Sequence, residues 1–421
     1  MNAQATSVAS APERAREASG LPGFAVFAGF LAMAGLPIYI HAPKFYVDEY
    51  GVSLSLLGVV LFVLRLVDFG QDPALGWFSA RLGQARSVAV AIGLAAMAMA
   101  MLGLFAVTPP LAPVVWFALC LAILFTGFSF LTITFYAQGV TKADSLGQGG
   151  HLRLASWRET GALLGVCIAA AAPTVLADAG DPLALFALGF GAVAILAWVM
   201  MRQEWSAGGR AEPTGFAAIL RDPPARRLLW IALVNATPVA VTSTLFLFFV
   251  ESRLEAPGWE GPLLLSFFLA AALSAPLWGR LAGRIGAKPA LVAGMALSIV
   301  SFGFAAALGA GDAALFALVC LASGAALGAD MTLLPAIFAR RMGQIAPSAA
   351  QGFGLWSFVS KFTLAFAAVS LLPALEASGF RSGGENPTDA LWTLTVLYAL
   401  VPCALKLVAI VLLIATPIDE S

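Results

Sequence analysis

Charge is scarce in this sequence. Lys, Arg, Asp and Glu make up 11% of its 421 residues, whereas 60% are hydrophobic and the mean hydropathy is +0.91. Soluble domains carry about a quarter charged residues, so an ordinary soluble domain is excluded and an integral membrane protein is expected. The charges present balance at 23 basic and 23 acidic. They form no basic stripe, so no nucleic-acid partner is expected. Histidine is almost missing: His41 and His151 lie several predicted helices apart, which argues against a His-based metal site. The four cysteines, Cys120, Cys167, Cys320 and Cys403, each sit inside an apolar run, so neither a disulfide framework nor a zinc cluster is expected. A nucleophile–base pair and a nucleotide-binding glycine loop are lacking too, since no strand precedes the glycine-rich piece Gly147 to Gly150. The sequence therefore predicts neither an enzyme nor a bound cofactor.

What is abundant is long apolar runs. They predict an all-α membrane protein of twelve spans, near residues 21–42, 54–79, 87–107, 113–140, 152–176, 183–202, 227–250, 262–283, 289–309, 313–339, 348–374 and 390–415. The first run follows a polar tail, residues 1–20, and exceeds the ~7–15 residues of a signal-peptide core, so it reads as a retained span. The longest non-apolar segment is a linker, residues 203–226, which parts the chain into six-helix bundles at 21–202 and 227–415, with a short tail at 416–421.

Basic residues set the expected orientation. Lys44, Arg253 and Arg381 fall on one side and Arg65, Lys361 and Lys406 within spans, leaving the other seventeen of the 23 on the side of the N-terminus. Both termini are therefore expected in the cytoplasm, in a bacterial inner or plasma membrane. A repeat supports the bipartite reading: Pro73, Gly76, Arg81 and Gly83 recur as Pro276, Gly279, Arg284 and Gly286, each displaced by 203 residues. Two parallel, pseudo-symmetric halves result, the plan of a major facilitator transporter. The repeated motif reads as a hinge and topology anchor without substrate contact.

Against that background, Arg65, Asp68 and Asp72 stand out in the second span. Their spacing puts them on one helix face beside Gln71. Each ionisable group near the bilayer centre costs roughly 2.5–3.5 kcal/mol on insertion scales, so the cluster should face protein or a watery cavity. One arginine cannot neutralise two carboxylates, and Pro73 removes the N–H that would bond the Phe69 carbonyl. A surplus carboxylate beside a freed backbone oxygen suits a small cation. The same 203-residue displacement leads to Phe268, Ala271 and Ala275, so the second half does not repeat the charges. The counter-charge is expected from Lys361, too deep in the eleventh span to reach the interface easily. Asp330 follows the small residues Gly324, Gly328 and Ala329 and serves either close helix packing or transport. Lys406 is expected to reach the interface. Arg158 and Glu159 either pair with each other's neighbours or form a cytoplasmic gate. Thr126, Ser129, Thr132 and Thr134 in the fourth span, and Asn235, Thr237, Thr242 and Ser243 in the seventh, offer oxygen ligands, although such side chains often bond their own helix. Trp116, Tyr136, Trp157 and Trp356 offer faces for a sugar ring.

The stretch Tyr46-Val-Asp48-Glu-Tyr-Gly51-Val-Ser53, then Gly58, then Arg65-x-x-Asp68-x-x-Gln71-Asp72-Pro73-x-x-Gly76-Trp77, resembles the glycoside-pentoside-hexuronide:cation symporters, the melibiose-permease branch of the major facilitator superfamily. Trp157-Arg158 with Gly165, and Trp356 with Lys361 and Gly379-Phe380, extend a looser likeness. The resemblance implies symport of a solute with sodium or a proton. Asp68 and Asp72 would ligate the cation, aided by Gln71, usually Asn in the family, and by a hydroxyl best matched by Thr126. Lys361 would stand near the carboxylates, with Arg65 sharing the charge balance. Gln71 lengthens one ligand and leaves proton coupling open. Ser129, Arg158, Asn235, Asp330 and Trp356 are the candidate solute contacts. Sugar-carrying relatives place acids where this chain has Ala32 and Ser129, so a galactoside-type grip is lacking while the cation half of the pattern is kept.

The expected partners are a small-molecule solute, a coupling Na+ or H+ and membrane lipid, for a protein working as a monomer. Two other readings stay open: an uncoupled facilitator or exporter of an amphipathic solute, and a non-transporting membrane assembly factor on the same fold.

Overall fold

The structure, a computed structural model, describes residues 20–35, 38, 41–176, 179–206, 215–346, 349–381 and 386–417. In chain order the first half contains α1 (Leu21–Met33), α2 (Ala42–Tyr50), α3 (Leu54–Arg81), α4 (Arg86–Phe105), α5 (Pro113–Ser145), α6 (Gly150–Val175) and α7 (Pro182–Ser206). The short α8 (Phe216–Arg221) leads into the second half: α9 (Pro223–Phe248), α10 (Glu260–Ile285), α11 (Ala287–Ala305), α12 (Ala313–Ile345), α13 (Ala350–Ala377), α14 (Thr388–Thr395) and α15 (Val401–Ile414). A π-turn, Val396–Leu400, joins the last two into one passage.

The architecture is the expected pair of six-passage bundles. Among the described residues, eight helices are long and apolar enough to cross a membrane by length and composition alone. Of the other passages, α1 has 13 described residues, and α3, α6 and α13 carry ionic side chains. Large apolar side chains such as Phe62, Ile92, Met99 and Val300 stand exposed, as a lipid-facing surface requires.

Between the first two predicted spans the chain is helical: α2 runs to Tyr50 and stops at Gly51, whose φ of 63° costs a residue without Cβ nothing. Ser53 then caps α3, its hydroxyl accepting from the Leu56 N–H at 3.3 Å. This register sets α3 so that Asp68 and Asp72 are 3% and 0% exposed, although Leu66 and Val67 face outward. Pro73 is accommodated inside α3, as Pro276 is inside α10. At the entrance of the second half, Asp222 caps α9 by accepting from the Ala225 N–H at 2.9 Å, and Pro223 and Pro224 fill the first turn.

The two halves meet unequally. At the end where α1 begins and α15 ends, the terminal face, one apolar core contains Ala80, Ile133 and Val140 of the first half with Phe338, Met342 and Phe353 of the second. Gly76 and Gly354 let α3 and α13 cross closely there, for a Cβ on Gly76 would lie 2.9 Å from the Ala350 carbonyl. At mid-depth Leu163 packs on Ala271 and Ala272. The two other large apolar cores described each stay within one half: that of the first runs from Leu21 and Trp205 at the terminal face to Tyr46 and Phe105 at the opposite end, and that of the second lies toward the opposite end. The structure is therefore sealed at its terminal face.

Candidate cation site and the flanking ionic clusters

Helix α3 brings Asp68 and Asp72 to the boundary between the halves, and α13 brings Lys361 to meet them. The Lys361 ammonium donates to Asp68 Oδ1 at 2.7 Å, to Asp72 Oδ1 at 2.9 Å and to Ser129 Oγ at 2.7 Å. All three of its N–H donors are thereby used. Asp68 Oδ1 also accepts from Ser129 Oγ at 2.9 Å and from Gln71 Nε2 at 3.1 Å. Thr126 sits one step further out, its hydroxyl donating to Gln71 Oε1 at 3.1 Å rather than touching a carboxylate. The α5 hydroxyl in direct contact is Ser129, one turn along.

Asp72 is held from the other side as well, by Ser357, which donates to Oδ2 at 2.7 Å. Sequence reasoning passed over Ser357, although it lies four residues before Lys361 and so shares its helix face. Arg65 stands 3.7 Å from Asp68 Oδ2, with 38% of its side chain exposed, and faces the Phe125 ring. Asp68 and Asp72 thus meet one cation across the interface, Lys361, while Arg65 approaches Asp68 from their own helix. Three oxygens of Asp68, Asp72 and Ser129 surround the ammonium, and a small cation entering there would compete with it for the same ligands. The 203-residue equivalents Ala271 and Ala275 are fully buried apolar residues, so the second half indeed contributes packing where the first contributes charge.

The remaining candidates fall into two other groups. Arg158 Nε donates to its neighbour Glu159 at 2.7 Å, Tyr136 donates to the same oxygen at 3.2 Å, and the guanidinium lies 3.9 Å from the Tyr136 ring centre. Tyr136 in turn contacts Phe353 of the second half, centroids 5.1 Å apart, and Phe338 leans on Trp356 at 4.8 Å. This aromatic layer belongs to the core that seals the terminal face.

Asn235 and Asp330 converge on Lys406. Its ammonium donates to Asn235 Oδ1 at 2.6 Å and to Asp330 Oδ2, and its side chain is 1% exposed. The sequence expectation that Lys406 reaches the interface is corrected here. A long flexible stem makes snorkelling cheap, but a carboxylate and an amide on neighbouring helices satisfy the charge inside the second half instead.

Among the described residues no cluster of three or more His, Cys, Asp or Glu side chains forms a metal site.

Comparison with known proteins agrees with this construction. Residues 21–420 match the family described as MFS/sugar transport protein. Among solved structures, a bacterial homologue of the iron transporter ferroportin in an outward-facing state aligns with a TM-score of 0.71 at 16% identity, covering 94% of this chain and 98% of that one. The same homologue with soaked iron aligns at 0.67 and 17% identity, over 94% and 98% of the two chains. The human organic anion transporter MFSD10 (TETRAN) aligns at 0.62 and 17% identity, over 94% and 99%. No curated protein sequence matches. At such identities the structural likeness establishes the fold alone, while the family match covers nearly the whole chain. The chain belongs to the MFS/sugar transport protein family, and it is a membrane transporter built on the major facilitator fold.

Proposed function

We propose that the protein is a symporter that couples Na+ or H+ to a small organic solute by alternating access, with both termini cytoplasmic. The observation that carries this reading is the position of Lys361, a cation of one half, between two carboxylates of the other. A coupling cation taken up by Asp68 and Asp72 supplies the positive charge that Lys361 supplies in its absence. Lys361 is then released, and the ionic tie between the halves is exchanged for a bound ion. The carboxylates then stay neutralised by the bound ion while the halves rock, which lowers the electrostatic cost of separating them in low dielectric. One charge moving through ~100 mV carries ~2.3 kcal/mol, enough for about a fifty-fold solute gradient. Ala32 and Ser129 stand where sugar carriers keep acids, so the solute class extends from glycosides to amphipathic molecules.

The uncoupled-carrier reading is favoured by one observation: every donor of Lys361 is satisfied, as in a permanent lock. Proteoliposomes under an imposed Na+ or proton gradient separate the two, using a defined set of labelled glycosides and lysophospholipids. Coupled transport accumulates a solute above its external level, and Asp72→Asn removes that accumulation. Simple equilibration unaffected by either gradient would overturn the symporter reading.

A further inference from the structure

Away from the ionic cluster, a cavity of about 960 Å3 opens at the terminal face. Its size falls within the ~300–1,000 Å3 of small-molecule pockets. The first half contributes the turn between α5 and α6; the second contributes the turn between α10 and α11 and the last turns of α12. Glycines keep it empty: a Cβ on Gly283 would meet no atom within 4 Å. Arg153 lines it from the first half and Arg340 from the second, with Gln148 and Gln344 beside them. The acidic side chain in the lining is Asp144, and its carboxylate is already engaged by His151 at 2.9 Å. The lining thus carries two guanidiniums and one carboxylate, an excess of positive charge that favours an anion. The planar fork of a guanidinium matches phosphate oxygens, and the amides add neutral donors.

We propose that this cavity binds a phosphate-bearing anion, held by Arg153 from one half and Arg340 from the other, and that the bound anion keeps the terminal face closed. Rocking that opens this face draws the two arginines apart and forfeits one set of contacts. The anion therefore acts as a brake on the transport cycle, independently of which cation or solute is carried. Its phosphate comes from a lipid headgroup or from a soluble phosphate ester.

Thermal unfolding of the full-length protein tests the site with two probes. Phosphatidylglycerol is added to phosphatidylcholine nanodiscs, and glycerol 1-phosphate is titrated in detergent. Stabilisation by the lipid alone identifies a headgroup; stabilisation by both identifies a site open to the soluble ester. In either case Arg153→Gln and Arg340→Gln should each weaken half-saturation by about tenfold. Gly283→Trp, which fills the space and keeps both charges, should abolish the response. No saturable stabilisation by either probe, or a response that survives Gly283→Trp, would overturn the site. An effect of one arginine without the other would overturn the bridging.

Discussion

Lys361 and Asp72 lie 289 residues apart in sequence and 2.9 Å apart in space, and they join the two halves of the transporter. Asp72 is completely buried and Lys361 nearly so. Removing one member of such a pair strands the other. Lys361→Met is therefore expected to lower stability by about 3–5 kcal/mol, the cost of an uncompensated buried charge. Adding Asp72→Asn should recover much of the loss. Thermal unfolding of the single and double variants in one detergent checks this, and a double variant no more stable than Lys361→Met would contradict the pairing.

The close crossing of α3 and α13 makes a second expectation. A Cβ on Gly354 would sit 2.9 Å from the Asp72 carbonyl, and one on Gly76 equally near Ala350. Gly76→Val should wedge the terminal face apart, at about 1–3 kcal/mol of overpacking. A thiol introduced at Ser79, 1% exposed, should then label faster in the Gly76→Val background. Unchanged labelling would show that the crossing has slack.

Lys406 distinguishes the structure from a simpler reading of its sequence. An interfacial lysine would tolerate Lys406→Met with little loss, as surface substitutions do. A lysine buried against Asp330 and Asn235 should lose about 3–5 kcal/mol, with partial recovery on adding Asp330→Asn. The unfolding temperatures of the two variants decide it.

Asp222 provides the pH dependence. It caps α9 and bonds Arg341 through both carboxylate oxygens, the Nε contact at 3.0 Å, and the Arg341 hydrogen bonds hold its carboxyl below the ordinary 3.8. Because the folded value is the lower one, the stabilisation is complete above the ordinary value and fades as pH falls through the folded one. Asp222→Ala should cost about 0.5–2 kcal/mol near neutral pH from the lost cap alone. The gap from wild type should narrow below about pH 4. Unfolding of both proteins followed across that range is the check.

The membrane class, the twelve passages and the paired halves were legible because apolar length and the 203-residue displacement are one-dimensional signals. Asp68, Asp72 and Lys361 were legible for a related reason: a charge in hydrocarbon needs a partner, and few charges were on offer. What sequence could not supply was which partner each would find. Lys406 had two outlets, the interface or a carboxylate on another helix, and only packing of α9, α12 and α15 chooses between them. Ser357 was overlooked because a serine in an apolar helix more often bonds its own backbone. Thr126 and Ser129 share a helix face, and the depth of α5 against α3 decides which one touches Asp68.

If Asp68 and Asp72 form a cation site in competition with Lys361, cation binding alone should disturb α13. Intrinsic tryptophan fluorescence of the purified protein, titrated with Na+, Li+ or acid beside the Asp72→Asn variant, tests it most directly. Trp356 lies on α13 one residue before Ser357 and five before Lys361, so release of the lysine should be registered. A saturable response in the wild type that Asp72→Asn abolishes is the expected result. A folded wild type silent to all three cations, or a variant that responds as the wild type does, would contradict it.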